Sequence, residues 1–225
     1  MSAESDKSKV TIGIHFDLIC PWCFIGKRHF EAARARLVQK YPAVVVESVW
    51  QPVQLLPEVP EQGLPFAQFY ERRLGSPQAV RQRRQQIEMA ARKAGLELDM
   101  AAIQRMPNTA RAIDLLRRVA TLGQPALYEA LLERLFVAYF QRGEDIGDAA
   151  TLRSLAEEVG VASDQLGDVK LDYACNAPAE SAVPGVPHFV FNGRLSLSGA
   201  HDAAILFDAM SHGVQESIAA DCACA

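Results

Sequence analysis

The 225-residue sequence predicts an α/β protein in which a helical block interrupts one sheet. Three observations carry this. Residues 10–50 read as strand, helix, strand. From about Pro65 to Leu171 no strand pattern appears and only helical spacing recurs. Residues 188–198 then read as a hairpin, followed by a closing helix. Strands at both ends with helices between suggest a single sheet with an insertion, the alternative being a separable helical domain.

The first strand is Val10 to Phe16, with Val10, Ile12, Ile14 and Phe16 on one face and Thr11, Gly13 and His15 on the other. From Phe24 to Lys40 the period lengthens. Phe24, Phe30, Ala33, Leu37 and Val38 share a helical stripe, and Tyr41-Pro42 stops it. Ala43 to Trp50, "AVVVESVW", is the second strand, and a helical connection implies a parallel pair. Pro52, Pro57, Pro60 and Pro65 mark a break. Four helices are expected next: Pro77 to Ala94, Asn108-Thr109 to Gly123, Pro125 to Gln141, and Asp148 to Gly160. Asn108-Thr109 and Asp148 serve as N-caps and the glycines as stops. A short helix follows Ser163. His188–Phe191 and Arg194–Ser198 flank Asn192-Gly193, the preferred pair for a type I′ turn. His201 to Met210 closes the chain. The expected domains are 8–60 with 180–215, an inserted helical domain at 61–179, and a flexible tail at 216–225.

Composition narrows the function. The chain is 49% hydrophobic and 22% charged, ordinary for a globular protein, and its formal net charge is −4. With no basic block, nucleic acid is not an expected partner. No apolar run approaches membrane-spanning length, and "MSAESDKSKV" lacks the apolar core of a signal peptide, so the expected compartment is the cytoplasm and no membrane partner is expected. Cys20, Cys23, Cys175, Cys222 and Cys224 are too few, and odd in number, for a secreted disulfide scaffold.

The chemistry concentrates in "FDLICPWCFIGKRHF", Phe16 to Phe30. Cys20 falls where the first strand ends and the helix begins, with Pro21 at a position where helices tolerate proline. Free amides and the helix dipole there favour thiolate over thiol. Cys23, one turn further in, lies on the same face and can resolve a mixed disulfide formed at Cys20. A zinc site is the competing reading, but Cys222 and Cys224 form the one other pair, at too short a spacing, so no metal is expected. Two inert core cysteines are the blander alternative. Trp22 is expected to be exposed and to meet substrate, or else to cover the junction between helices and sheet. Cys175 reads as a small buried residue. Cys222 and Cys224 read as tail thiols, and an electron relay is the sharper alternative. Val186-Pro187 stands immediately before a strand, where proline cannot donate to the ladder.

Taken together, "FDLICPWCFIGKRHFE", "PNTARA" and "GVPHFVFNGRLSLSGAH" resemble the DsbA-like thioredoxin-fold oxidoreductases, in particular their FrnE-like branch. The resemblance runs over nearly the whole chain. It implies a thioredoxin-like fold with a helical domain inserted between the second and third strands. It also implies Cys20 as nucleophile, Cys23 as resolving cysteine, and Val186-Pro187 as the cis-proline element that binds substrate backbone. Where relatives commonly follow the "NT" pair with Ala-His, this chain has Ala112-Ile113. His188 follows the proline and either sits beside the dithiol or is a hydrogen-bonded strand residue; His15 and His29 are assigned no chemistry. The implied activity is thiol–disulfide exchange on protein or small-molecule disulfides, with no cofactor beyond glutathione as a candidate co-substrate. The same superfamily includes 2-hydroxychromene-2-carboxylate isomerases, which use glutathione and usually carry Ser at the nucleophilic position; two cysteines here argue for redox. A non-enzymatic holdase is a third reading. The oligomeric state is not legible.

Overall fold

A computed structural model describes residues 9–166 and 183–223. The elements in chain order are β1 (Lys9–Phe16), α1 (Pro21–Lys40), β2 (Val45–Pro52), β3 (Leu64–Pro65), α2 (Phe66–Leu74), α3 (Pro77–Lys93), β4 (Arg105–Met106), α4 (Ala110–Thr121), α5 (Pro125–Arg142), α6 (Ala149–Glu158), α7 (Ser163–Leu166), β5 (His188–Phe191), β6 (Leu195–Ser198) and α8 (Ala203–Ala223). They divide into two compact units. Among the described residues, one comprises 9–16, 22–51 and 183–223, and the other 17–21 and 52–166.

The first unit is built on a four-stranded sheet of order β2-β1-β5-β6. β5 pairs antiparallel with β1, Ile12 opposite Phe191 and Ile14 opposite Phe189, and β6 returns antiparallel along β5. Alternation on β1 puts Val10, Ile12 and Ile14 on one face, where they form a core with Phe30, Ala33 and Leu37 of α1, Phe189 and Phe191 of β5, and Leu206, Met210 and Val214 of α8. Val38, expected on the same helical stripe, is exposed. Asn192 and Gly193 both have positive φ, 48° and 69°, as a type I′ turn requires. The Asn192 side chain does more than turn the hairpin. Its Oδ1 accepts from Thr11 N–H at 3.0 Å, and its Nδ2 donates to the Gly213 carbonyl at 3.1 Å.

α8 is longer than the sequence suggests. The expected helix ends at Met210 and the expected tail begins at 216, but the helix runs to Ala223. Val214 lies one turn beyond Met210 on the buried stripe, so packing carries the helix past "SHG". Gly213, unfavourable in a helix interior by about 1 kcal/mol relative to Ala, sits where a Cβ would lie 3.1 Å from Asn192 Nδ2. The Cys222 side chain, Cys224 and Cys175 fall outside the described residues.

The second unit packs α4 and α6 against α5, whose Leu131, Leu132, Leu135, Phe136 and Tyr139 are fully buried. Asp148 caps α6 as expected, accepting from Thr151 N–H at 2.8 Å. The expectation of a strand-free helical block fails in two places. β3 and β4 form a two-stranded ribbon, Leu64 opposite Met106, and α2 precedes α3 as a separate helix. Two-residue strands are too short to show alternation, and Pro65 lies in one of them. The expected boundary at residue 60 also moves, because Pro52 and the residues after it belong with the helices. Leu55 N–H and the Val59 carbonyl are both held by residues of the second unit, Asp17 and Asn108.

Candidate active site

The chain leaves β1 at Phe16 and turns before α1 begins at Pro21. Cys20 N–H closes this turn on the Asp17 carbonyl at 3.1 Å. Cys20 therefore occupies the residue before the first helical position, and Cys23 lies in the first helical turn. Neither cysteine is in a disulfide; Cys20 is 9% exposed and Cys23 2%. Cys20 is the more exposed of the two, although both are buried. Trp22 between them is half-buried, short of the exposed position expected for it, because the helix start is enclosed: Pro21, Cys23, Phe24 and Ile25 are all buried.

The Val186-Pro187 peptide bond is cis. Pro187 is buried and packs on α1: a Cβ built on Gly26 would lie 2.9 Å from Pro187 Cγ. Gly26 is three residues past Cys23 and shares its helix face. Glycine is used here because the proline ring occupies the space of a side chain. Val186 is half-buried. Pro187 also accepts Gly199 N–H at 2.8 Å, which closes the open end of the β5–β6 hairpin.

His188 is a hydrogen-bonded strand residue. It is buried, and its Nδ1 lies 2.7 Å from Ser198 Oγ on β6. Its cross-strand neighbour is His15, ring centroids 5.7 Å apart. Burial, and then the proximity of His188, lower the pKa of His15. Lys27, four residues beyond Cys23, is buried and ion-paired with Glu31.

Sequence reasoning missed Asp17. This carboxylate, three residues before Cys20, is fully buried. It accepts from Leu55 N–H at 2.7 Å, from Ile19 N–H at 3.4 Å and from the Thr109 hydroxyl. Burial pushes its pKa up to about 6, and these donors restrain the rise. The "NT" pair is thereby explained. Thr109 braces Asp17. Asn108 donates to the Val59 carbonyl and accepts from Gln54 Nε2 at 2.9 Å and Ala110 N–H at 2.9 Å. The Leu55 and Thr109 bonds to Asp17 hold the segment that carries Cys20. A lone acid inside the apolar run "HFDLIC" was the available signal.

Tyr70 of α2 was also missed. Burial pushes its pKa up to about 12; the Cys20 sulfur pushes in the same direction, and Arg73 and Arg83 oppose it. Among the described residues, no group of three or more His, Cys, Asp or Glu is placed to hold a metal ion.

Residues 11–211 match the model of the DSBA-like thioredoxin domain family. The chain is 27% identical over 211 residues to the uncharacterized protein YwbO of Bacillus subtilis, across 90% of this chain and 96% of that one. It superimposes with a TM-score of 0.79, at 25% identity, on a probable DsbA oxidoreductase from Streptomyces coelicolor, covering 92% of this chain and 91% of that one. The cytosolic disulfide reductase DsbM from Pseudomonas aeruginosa, in its structure with GSH, superimposes with a TM-score of 0.55 at 15% identity, over 91% and 96% of the two chains, a likeness of fold.

Proposed function

The chain belongs to the DSBA-like thioredoxin domain family, and on that premise we propose that it is a thiol–disulfide oxidoreductase in which Cys20 attacks and Cys23 resolves. The carrying observation is the placement of the pair: Cys20 immediately before α1, Cys23 in its first turn, and Pro187 packed on the same helix three residues further on. The motifs around the dithiol, Asn108-Thr109 and Val186-Pro187 favour the FrnE-like branch.

In the reducing direction, the Cys20 thiolate attacks one sulfur of a disulfide. The substrate S–S bond breaks, a mixed disulfide forms, and the first thiolate leaves and takes a proton from water. Cys23, deprotonated, then attacks the Cys20 sulfur. The second substrate thiolate leaves, and the protein holds a Cys20–Cys23 disulfide. Two electrons have passed from protein to substrate, and the reverse sequence oxidises a dithiol. Val186 and Pro187 meet the substrate backbone, and Trp22 contacts it beside the sulfur. His188, engaged with Ser198, supports the strand. Substrates are protein or small-molecule disulfides, with glutathione the candidate co-substrate. We place the protein in the cytoplasm on its cysteine usage; among the described residues no helix is long and apolar enough to cross a membrane.

The test is a thiol count under reducing and oxidising conditions, followed by insulin-reduction and glutathione-disulfide assays. Two thiols should disappear on oxidation in the Cys222→Ala/Cys224→Ala background. Cys20→Ala should abolish turnover, and Cys23→Ala should accumulate a mixed disulfide at Cys20. Full turnover in Cys23→Ala would refute the two-cysteine mechanism, and glutathione binding without dithiol redox would favour glutathione-dependent isomerisation.

A further inference from the structure

A lysine is buried in the packed start of α1. Lys27 is 3% exposed, at the end of a run, Cys23 to Lys27, in which every residue is buried. Its ammonium is held by Glu31, one turn further along the helix, and Arg28 pairs with the same carboxylate at 2.9 Å. Two cations thus share one acid, and the cluster keeps a net positive charge. Burying an ammonium is costly, and one half-exposed carboxylate shared with a second cation returns only part of that cost. A further negative charge on the same helix face would return more of it.

Cys23 is the residue that can supply that charge. Cys23, Lys27 and Glu31 follow one another at four-residue steps within α1, so they stack on one face, with about 5–6 Å between the Cβ atoms of neighbours. Side chains of a helix lean toward its N-terminus. Glu31 accordingly reaches back to Lys27, and the Lys27 stem lies over the turn that carries Cys23. Gly26, also on this face, has no side chain, and Pro187 occupies its place. Lys27 is therefore the charged group that helix geometry sets beside Cys23. Other ionisable groups near the helix start are engaged elsewhere. His29 faces Asp202 at 3.9 Å, His188 holds Ser198 with His15 beside it, Asp17 accepts from Leu55, Ile19 and Thr109, and Tyr70 acts on Cys20.

We propose that the Lys27 ammonium is the charge partner of the Cys23 thiolate and sets how readily the resolving cysteine attacks. This rests on the oxidoreductase reading above. Cys23 is 2% exposed, and apolar surroundings favour a thiol over a thiolate. A buried cation beside the sulfur reverses that preference. In the step affected, the Cys23 thiol gives its proton to water and the thiolate is held against Lys27. It then attacks the Cys20 sulfur. The bond from Cys20 to the substrate sulfur breaks, the Cys20–Cys23 bond forms, and the substrate thiolate leaves and takes a proton from water. Lys27 passes neither proton nor electron. Glu31 damps the effect, because it competes with the thiolate for the same ammonium.

The experiment separates the two attacks in time. Fully reduced full-length protein in a Cys175→Ala/Cys222→Ala/Cys224→Ala background is mixed with excess dipyridyl disulfide, a neutral reagent whose released thione is followed by absorbance. The first release reports attack by Cys20 and scales with reagent concentration; the second reports resolution by Cys23 and does not. Lys27→Met should slow the second phase about tenfold near pH 7 and move its pH midpoint up by about one unit. The first phase should stay within about twofold, which also reports that the variant folds. Lys27→Arg, which keeps the charge, should hold the second phase within about threefold of wild type. Glu31→Gln, which frees the ammonium from its competitor, should speed the second phase by about threefold and move its midpoint down. A merely structural ion pair predicts no such gain.

A midpoint that does not move in Lys27→Met, or a Lys27→Met that slows both phases alike, overturns the partnership and leaves the oxidoreductase reading standing. So does a second phase that is unchanged or slower in Glu31→Gln. If Lys27→Met fails to fold, Lys27→Arg and Glu31→Gln decide the matter through the same second phase. If the wild type shows only the first release, Cys23 does not resolve, and the two-cysteine reading falls and takes the role of Lys27 with it.

Discussion

The sheet unit and the helical unit solve the same problem, holding a reactive segment still, with opposite materials. In the sheet unit, α1 is seated by apolar surface: Phe30, Ala33 and Leu37 against β1, β5 and α8, with Pro187 fitted over Gly26. In the helical unit, the segment Asp17–Cys20 is seated by polar groups: a buried carboxylate, Leu55 N–H and the Thr109 hydroxyl. Apolar packing is tolerant in direction and unforgiving in volume. Buried hydrogen bonds are the reverse. The two units should therefore fail differently when cut, and four substitutions ask whether they do.

Asp17→Ala should have the largest effect on stability. It leaves Leu55 N–H and the Thr109 hydroxyl buried without their acceptor, at a cost of about 2–4 kcal/mol near pH 5. The cost should depend on pH. Burial raises the folded pKa to about 6 from 3.8, so the wild type loses stability as pH rises from about 4 to about 7. The loss amounts to about 3 kcal/mol, and the variant does not share it. Urea unfolding at two pH values should find the gap between the proteins narrower at the higher one. A gap that widens would mean the carboxylate is stabilised in its charged form, and the contrast between the units would rest on the wrong physics.

Gly26→Ala comes next. The added methyl meets the Pro187 ring, not the far end of a flexible side chain, so either the proline or the helix must shift. We expect a loss of about 1–3 kcal/mol despite the better helix propensity of Ala. A stabilised variant would show that Pro187 gives way easily and that volume does not govern this face. Asn192→Ala should cost about 1–2 kcal/mol, since it removes a residue suited to positive φ and its bonds to Thr11 and Gly213. Its footprint in hydrogen exchange should fall on β1 and α8. Ser76→Ala, which removes the cap accepting from Ala79 N–H at 3.2 Å, should cost about 1 kcal/mol and fray α3 alone. If its effect spread through the unit, the helical unit would be more cooperative than its polar bracing implies.

The same contrast decides what could be read from the sequence. Signals confined to a few neighbouring residues were legible. The alternation of Val10 to Phe16, the Asn192-Gly193 turn, the Asp148 cap and the position of Cys20 before a helix each depend on a short window. So did the overall order of strands and helices. What escaped depends on partners far along the chain. Asp17 is an ordinary acid until Leu55 and Thr109 arrive beside it. Gly26 looks like a weak helix residue until Pro187 covers it. Tyr70 gains meaning only once Cys20 comes within its electrostatic reach. The end of α8 was misjudged for a related reason: Gly213 reads locally as a stop, and it is Asn192 that makes it a fit.

The Asn192 bond to Thr11 joins residues 181 positions apart. A ribosome adding about 5–20 residues per second needs roughly 10–40 s to make the second partner after the first. For that interval β1 and α1 exist without β5, β6 or α8, while the intervening helical unit can already be folding on its own contacts. The apolar stripe of α1 at Phe30, Ala33 and Leu37 waits uncovered, and the unpaired edge of β1 waits with it. Nascent chains stalled before residue 183 should accordingly bind holdase chaperones through residues 10–40, and chains stalled far enough beyond Ser217 to free it from the exit tunnel should release them.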